Sequence, residues 1–267
     1  MTTSNSNSDD ILSTLFQFLP SNYREKVITS SSFYPNIELI SGTFDLDNKK
    51  VCNSFIEDNF KILIQNPNLD RQNLFQCVVS RGLIEYIKVL LEDKRKEKII
   101  DPSADNNKAI ISASKNGHTL AVKLLLTDPR VNPSARDNEA IRMASINGQI
   151  DVVKLLLIDK RVNPSVDNNY AIRFASMNGH LEIIKLLLND ERVNPSDQNN
   201  YAIISASANG HTTVVKLLLN LGPGDSFPNR KRVDPSDYDN KAIRLASANG
   251  HTEVVKLLLT DKRVDAL

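Results

Sequence analysis

The sequence lacks tryptophan altogether and contains only two cysteines, Cys52 and Cys77, in 267 residues. Two cysteines are too few for a disulfide framework and show no metal-binding spacing, which suits a reducing compartment. No stretch approaches the about 20 apolar residues that a membrane-spanning helix requires. The opening residues, MTTSNSNSDD, are polar and acidic, unlike a secretory signal. We therefore predict a cytoplasmic protein that makes no membrane contact.

An excess of charge of one sign is also missing, since the formal net charge is +1. Without such an excess, neither nucleic acid nor an anionic membrane is favoured as a partner. The sequence contains no phosphate-binding loop and no metalloprotease motif. Gly222-Pro223-Gly224 lacks the third glycine and the preceding strand of a dinucleotide fingerprint. The sequence therefore predicts a protein that is not an enzyme, with no catalytic residues, no metal and no cofactor.

What the chain has instead is a repeat. The segment NPSARDNEAIRMASINGQIDVVKLLLIDKR, which starts at Asn132, returns in similar form at Asn163 and Asn194, and related copies start at Asp101 and Asp234. The marker prolines are spaced 31, 31, 31 and 40 residues apart, at Pro102, Pro133, Pro164, Pro195 and Pro235. A fixed period of this size is typical of a solenoid, in which small units stack in a line.

Each repeat is predicted to hold two helices. In the copy that starts at Asn132, the first helix runs from Ala140 to Ser145, and the preceding Asp137-Asn138 can cap it or adopt left-handed backbone. Gly148 ends this helix, because glycine reaches positive φ without steric cost. The second helix is apolar around much of its circumference, which predicts cover by a neighbouring repeat on each side: Val152, Val153, Leu155, Leu156 and Leu157.

The run A-I-R-x-A-S-x-N-G-H-x-E-V-V-K-L-L-L resembles the ankyrin repeat, whose pattern is T-P-L-H-x-A-A-x-x-G-H-x-x-V-V-x-L-L-L. The resemblance covers residues 68–265 in six tandem copies. It implies an all-α fold, an ankyrin-type solenoid of stacked helix-turn-helix repeats with an N-terminal helical cap. The Thr-Pro of the family is replaced, for example by Glu139-Ala140, and the period of 31 residues is shorter than the family's about 33. We therefore expect a tighter connection between repeats than the family's β-hairpin.

The chain is predicted to divide into a disordered tail at residues 1–8, a helical capping region at 9–66 with a helix from Val51 to Gln65, and a repeat array at 67–267. The repeats are placed at 68–101, 102–132, 133–163, 164–194, 195–234 and 235–267. The segment after Asp10 also resembles an F-box, through Ile11, Leu12, Leu15, Phe16, Leu19, Pro20 and Val27. A surface loop is predicted at 221–229, and the last repeat lacks a polar cap, so self-association through it is one expectation.

The polar residues that recur once per repeat are predicted to be structural. All four histidines lie in Asn-Gly-His, at His118, His180, His211 and His251. Stacked repeats separate such positions by about 10 Å, whereas the ligands of one zinc ion lie about 2.1 Å from it. The resemblance implies that this histidine ties the turn to neighbouring backbone, and Gln149 fits the same role. The aspartates before the first helices are predicted to form turns: Asp105, Asp137, Asp167, Asp197 and Asp239.

Two positions vary between copies, one just before and one just after the conserved Ala-Ile pair. We call these residues the variable row: Lys108, Ile111, Glu139, Arg142, Tyr170, Arg173, Tyr201, Ile204, Lys241 and Arg244. The resemblance implies that they lie on a concave face that holds a protein partner. Tyrosine and arginine are enriched at binding hot spots, which favours Tyr170, Tyr201, Arg142 and Arg173, with Lys108, Glu139, Lys241 and Arg244 beside them. The alternative is that the tyrosines only pack against neighbouring loops.

The sequence therefore favours a non-catalytic scaffold that binds a protein partner on the concave face of an ankyrin repeat stack. The alternative is a substrate-recognition adaptor of a ubiquitin ligase, in which the F-box-like segment recruits the ligase scaffold and the repeats select the target. A groove does not name its ligand, so the sequence leaves the identity of the partner open.

Overall fold

The computed structural model describes residues 60, 64, 70–93, 100–221 and 232–264. The chain divides into two compact units, residues 1–101 and 102–267. The predicted tail at 1–8 and the F-box-like segment from Ile11 to Val27 lie outside the described residues, as does the loop at 221–229 apart from Leu221. Within the predicted helix from Val51 to Gln65, Phe60 and Ile64 are described, and both are helical.

The described part of the first unit contains two helices, α1 (Arg71–Ser80) and α2 (Ile84–Glu92). Asp70 caps α1, because its Oδ1 accepts a hydrogen bond from the backbone N–H of Asn73 at 3.0 Å. Arg71, which is buried, forms an ion pair with Asp93 just after α2. Burial raises the pKa of the Cys77 thiol on α1. The first predicted repeat, at 68–101, therefore contains a helix pair.

The described part of the second unit contains five helix pairs, one for each repeat copy that the sequence marks. The first helices are α3 (Ala104–Lys115), α5 (Ala135–Ile146), α7 (Val166–Met177), α9 (Asp197–Ala208) and α11 (Asp237–Ala248). The second helices are α4 (Thr119–Leu126), α6 (Ile150–Ile158), α8 (Leu181–Leu188), α10 (Thr212–Leu219) and α12 (Thr252–Leu258). No strand occurs among the described residues, and the predicted all-α fold is confirmed.

The five helix pairs of the second unit stack in chain order. Each first helix packs against the first helices of its neighbours, and each second helix packs against the neighbouring second helices. On α6, Val152 is 1 % exposed and Val153 and Leu156 are 0 % exposed. A helix of this length is marginal alone in water, so burial between repeats must stabilise it. The predicted cover on two sides is confirmed.

The turn between the two helices of a repeat is built from Asn-Gly-His. Gly148 has φ +74°, and a Cβ added there would lie 2.9 Å from Cε1 of His180 in the next repeat. The Nε2 of His180 lies 2.9 Å from the carbonyl oxygen of Ile146, at the end of α5. His211 and His251 make the same contact with Met177 and Ala208. In the repeat where glutamine replaces this histidine, Nε2 of Gln149 lies 3.3 Å from the carbonyl oxygen of Lys115. The predicted structural role of this position is confirmed.

Each first helix opens with three consecutive left-handed residues, which the sequence indicated only in part. In α5 these are Arg136, Asp137 and Asn138, with φ of 51°, 54° and 55°. The expectation that the Asp-Asn pair adopts left-handed backbone is confirmed, but the expected capping role of the asparagine is wrong. The Oδ1 of Asn138 instead accepts a hydrogen bond from the backbone N–H of Asn163 in the next repeat, at 2.7 Å.

The same asparagine bridge joins every consecutive pair of repeats in the described part of the second unit. In each bridge the side-chain oxygen of a buried asparagine accepts a hydrogen bond from a backbone N–H of the next repeat. The acceptor–donor pairs are Asn107 with Asn132, Asn138 with Asn163, Asn169 with Asn194, and Asn200 with Asp234, at 2.7, 2.7, 2.7 and 2.8 Å. Each bridge satisfies a backbone donor at a connection that has no β-hairpin to do so. The asparagine bridges therefore replace strand pairing as the link between repeats.

An aspartate and an arginine two residues apart follow α6 and bind back onto the preceding repeat. Arg161 donates from Nε and Nη2 to the two carboxylate oxygens of Asp159, at 3.0 and 2.6 Å. Its Nη1 donates to the carbonyl oxygen of Val131 at 2.9 Å. The side-chain hydrogen bond from Arg161 holds the pKa of Asp159 below its ordinary value, although burial opposes this. The same link to the preceding repeat is made from Arg192 to Val162 and from Arg263 to Val233.

Candidate functional site

The variable row lies along the first helices of the second unit. Its members sit just after the left-handed residues and one turn further on, so the same two positions recur on α3, α5, α7, α9 and α11. Between them, the Ala-Ile residues are buried in each repeat, as Ala171 and Ile172 are at 0 % exposure. The fixed Ala-Ile pair thus anchors the helix, and the flanking positions are left to differ.

Two tyrosines of adjacent repeats, Tyr170 and Tyr201, lie on either side of a phenylalanine on α7. The rings of Tyr170 and Phe174 are stacked, with centroids 4.0 Å apart and an interplanar angle of 21°. The Phe174 ring lies 6.2 Å from the Tyr201 ring at an interplanar angle of 37°. All three residues are half-buried. They form a continuous aromatic surface that crosses the boundary between two repeats.

Two arginines pack on these rings. The guanidinium carbon of Arg142 lies 5.0 Å from the Tyr170 centroid. That of Arg173 lies 5.7 Å from Tyr170, 5.7 Å from Phe174 and 5.5 Å from Tyr201. These distances fall within the range of cation–π attraction. The structure thus brings together the four residues that the sequence favoured, and we call Arg142, Tyr170, Arg173, Phe174 and Tyr201 the aromatic–arginine cluster.

The backbone at the start of each repeat holds the arginines in place. Arg142 donates from Nη2 to the carbonyl oxygen of Arg136 at 3.1 Å and forms an ion pair with Asp167 of the next repeat at 2.9 Å. Arg173 donates from Nη2 to the carbonyl oxygen of Asp167 at 3.0 Å. The accepting carbonyl groups belong to the left-handed residues, so the unusual backbone positions both guanidinium groups. Sequence analysis did not predict this support.

The remaining predicted site residues lie at equivalent places but outside the cluster's described contacts. Glu139 pairs with Arg136 at 3.6 Å. In the last repeat, Lys241 lies 5.4 Å from the Tyr238 ring and Arg244 donates to the carbonyl oxygen of Asp239 at 3.4 Å. Lys108 is exposed on α3. The row therefore has one dense centre, formed by the repeats that begin at Asn132, Asn163 and Asn194, with separate polar residues toward either end.

Phe174 is the member of the cluster that sequence reasoning missed. It follows Arg173 directly, and the corresponding residues of other copies are Ser112, Met143, Ser205 and Leu245. This position therefore varies as the row does. This variation was the signal in the sequence that could have identified Phe174. The sequence pattern of a short helix does not show, however, which rings of neighbouring repeats will come into contact.

The geometry offers binding surface and shows no assembled catalytic or metal chemistry in the part of the chain that is described. No group of three or more His, Cys, Asp or Glu side chains gathers there as a metal ion would need. None of the helices in the same residues has both the length and the apolar character needed to cross a membrane. What the cluster can supply is aromatic area together with fixed cationic donors.

Comparison with known proteins gives the family. The family described as "Ankyrin repeats (3 copies)" matches residues 74–169, 141–229 and 172–266. No curated protein matches the chain. Among solved structures, the chain is similar to an ankyrin repeat family protein from Legionella pneumophila, with 16 % sequence identity and a TM-score of 0.44 over 95 % of this chain and 92 % of that one. On the strength of the family match, which spans most of its length, the chain belongs to the ankyrin repeat family.

Proposed function

We propose that this chain is a protein-binding scaffold whose partner docks on the face formed by the variable row, with the aromatic–arginine cluster at its centre. The observation that supports this is that side chains from adjacent repeats contact one another at positions whose residue type differs between the repeat copies. Tyrosine and arginine dominate binding hot spots, because both bury large area around a polar group. In the ankyrin repeat family the corresponding face is concave and holds partners.

The energetic argument also favours binding at this place. The rings are half-buried and already fixed by stacking and by the arginines. A partner therefore buries further aromatic area while ordering few additional side chains, which lowers the entropic cost of association. The alternative, that the tyrosines only fill space between repeats, predicts an effect on stability alone.

The test is comparative affinity capture followed by mass spectrometry, with the wild-type chain and the Tyr170→Ala/Tyr201→Ala variant as baits. We expect the helical circular dichroism to be kept, and the loss of unfolding free energy to reflect aromatic pairs of about 0.5–1.5 kcal/mol each. Proteins captured by the wild type should be depleted from the variant. Capture of the same proteins in the same amounts would show that the cluster is not the binding face.

The adaptor hypothesis concerns residues that the structure does not describe, and it stays a prediction from the sequence. A purified F-box-binding scaffold protein should retain the wild-type chain and release the Leu15→Asp/Phe16→Asp variant if that hypothesis holds. Absence of binding by the wild type would rule it out. The cytoplasmic location and self-association through the last repeat likewise stay predictions.

A further inference from the structure

Within the part of the chain that the structure describes, Arg173 differs from most other arginines of the second unit in having no acidic partner. Six arginines there pair with a carboxylate: Arg130, Arg136, Arg142, Arg161, Arg192 and Arg263. Among the described residues, no carboxylate lies within ion-pair distance of Arg173, and its described hydrogen bond is the one from Nη2 to a backbone carbonyl oxygen. This guanidinium therefore packs on three aromatic rings with no counter-ion from the described part of the chain.

The cause is a single difference between neighbouring repeats. Arg142 reaches forward to Asp167, the first of the left-handed aspartates and asparagines of the next repeat. For Arg173, the equivalent position in the next repeat is occupied by Gln198, one period of 31 residues after Asp167. Gln198 has the same left-handed backbone, with φ of 50° against 52° for Asp167. The position that supplies the counter-ion is thus present but carries a neutral side chain.

We propose that Arg173 binds a carboxylate of an acidic peptide segment in the partner protein, which takes the place that Asp167 occupies against Arg142. This inference rests on the proposed function, because it concerns the same face. The three rings exclude water from one side of the guanidinium, and a charge-assisted hydrogen bond is stronger where water is partly excluded. Tyr170, Phe174 and Tyr201 then contact the apolar atoms next to the carboxylate.

A carboxylate fits this place better than a dianionic phosphate does. Among the described residues Arg173 has no counter-ion, and its Nη2 contacts the backbone of Asp167, whose carboxylate is 44 % exposed and pairs with Arg142. Its negative charge repels a doubly charged group more strongly than a singly charged one. The carboxylate that the fold itself uses against Arg142 shows that this geometry suits a planar monoanion.

The chain supplies its own matched variants. Gln198→Asp gives Arg173 an internal counter-ion and removes no ring and no cation, and aspartate is found at that position in other repeats. Asp167→Asn removes the counter-ion of Arg142 and leaves the backbone carbonyl that supports Arg173. Lys216→Gln is the control, because Lys216 is exposed on α10, outside the variable row, and its replacement lowers the net charge by one, as Gln198→Asp does.

The probe is a library of random linear peptides displayed on phage, selected against the full-length wild-type chain and counter-selected against the Tyr170→Ala/Tyr201→Ala variant. We expect the selected peptides to carry aspartate or glutamate beside an apolar residue. For individual peptides, Gln198→Asp should weaken binding about tenfold or more, as should amidation of the peptide's carboxylate. Asp167→Asn should strengthen binding, Lys216→Gln should leave it unchanged, and circular dichroism should show all variants folded.

The other outcomes separate the two proposals. Selected peptides that depend on Tyr170 and Tyr201 but keep their affinity after amidation or in Gln198→Asp would overturn the carboxylate inference and leave the proposed binding face standing. If no peptide selected on the wild type depends on the two tyrosines, both the inference and the proposed face are overturned. A peptide weakened equally by Lys216→Gln and Gln198→Asp would indicate general charge attraction and would also overturn the inference.

Discussion

The junctions between repeats and the variable row lie a few residues apart on the same helices, yet the sequence treats them in opposite ways. At the junctions the asparagine bridges recur with donor–acceptor distances of 2.7, 2.7, 2.7 and 2.8 Å. In the row, Glu139, Tyr170 and Lys241 occupy one equivalent position in different copies. The comparison teaches that stability resides in the repeated contacts, which leaves the row free to specify a partner.

The strongest test of this division is removal of a leucine between repeats. Leu156→Ala should lower the free energy of unfolding by about 2–5 kcal/mol, because the side chain is fully buried and its loss opens a cavity. The measurement is urea denaturation followed by circular dichroism. Ile158→Ala on the same helix is the control, because Ile158 is 79 % exposed. Equal effects of the two substitutions would contradict stacking as the source of stability.

The asparagine bridge can be separated from the backbone strain beside it. Asn168 and Asn169 have similar left-handed backbone, with φ of 53° and 58°. Asn169 is buried and bridges to Asn194, whereas Asn168 is exposed. Replacing either with alanine costs the left-handed strain of about 1–2 kcal/mol. Asn169→Ala should cost about 1–3 kcal/mol more, since it also leaves the part-buried backbone N–H of Asn194 without its acceptor.

Urea denaturation of both asparagine variants gives this difference directly. A difference near zero would mean that the connection between repeats does not depend on the bridge. The repeated contacts between repeats would then not be what fixes the positions of the variable row.

A buried serine offers a change in the opposite direction. Ser145 is 0 % exposed, and its Oγ has no hydrogen-bond partner in the described structure. Ser145→Ala should therefore raise the free energy of unfolding by about 1 kcal/mol, because it removes an unsatisfied buried hydroxyl. Ser247, the equivalent residue of the last repeat, is exposed. Ser247→Ala should therefore stabilise the fold less, through the gain in helix propensity alone. Thermal melts of the two variants measure this difference in stability.

The smallest expected effect is the acid dependence of the Asp159–Arg161 pair. The pKa of Asp159 is lowered in the folded protein, so its contribution is complete above the ordinary carboxyl pKa and is lost as the pH falls through the lower folded value. Asp159→Asn should therefore cost less than about 1 kcal/mol near neutral pH. The difference from wild type should shrink in acid, as measured by urea denaturation across that range. A difference that grows in acid would contradict the assignment.

Much of the fold could be predicted because the repeat encodes it several times. Gly148 and its counterparts indicated the turn, and the apolar breadth of the second helix indicated cover on two sides. The left-handed opening of each first helix was harder to predict, because Arg136 and Tyr238 adopt positive φ although neither residue type favours it. Tertiary contacts between repeats, not local preference, hold these residues there.

The candidate site was predictable as a set of positions and not as a geometry. The variable row named Tyr170, Tyr201, Arg142 and Arg173, which the structure places in one cluster. Sequence alone could not show that Arg142 has a counter-ion and that Arg173 has none among the described residues, because the partner position lies 25 residues further along the chain, in the next repeat. That difference became visible only when the register between repeats was known.

Native-state hydrogen exchange of the intact chain tests most directly the claim that the repeated contacts at the junctions hold neighbouring repeats together. The backbone N–H groups of Asn132, Asn163 and Asn194 lie in connections outside the helices, yet each donates to a buried asparagine. We predict that they exchange as slowly as N–H groups in the buried first helices. Exchange at the rate of an open surface loop at these three positions would contradict the account.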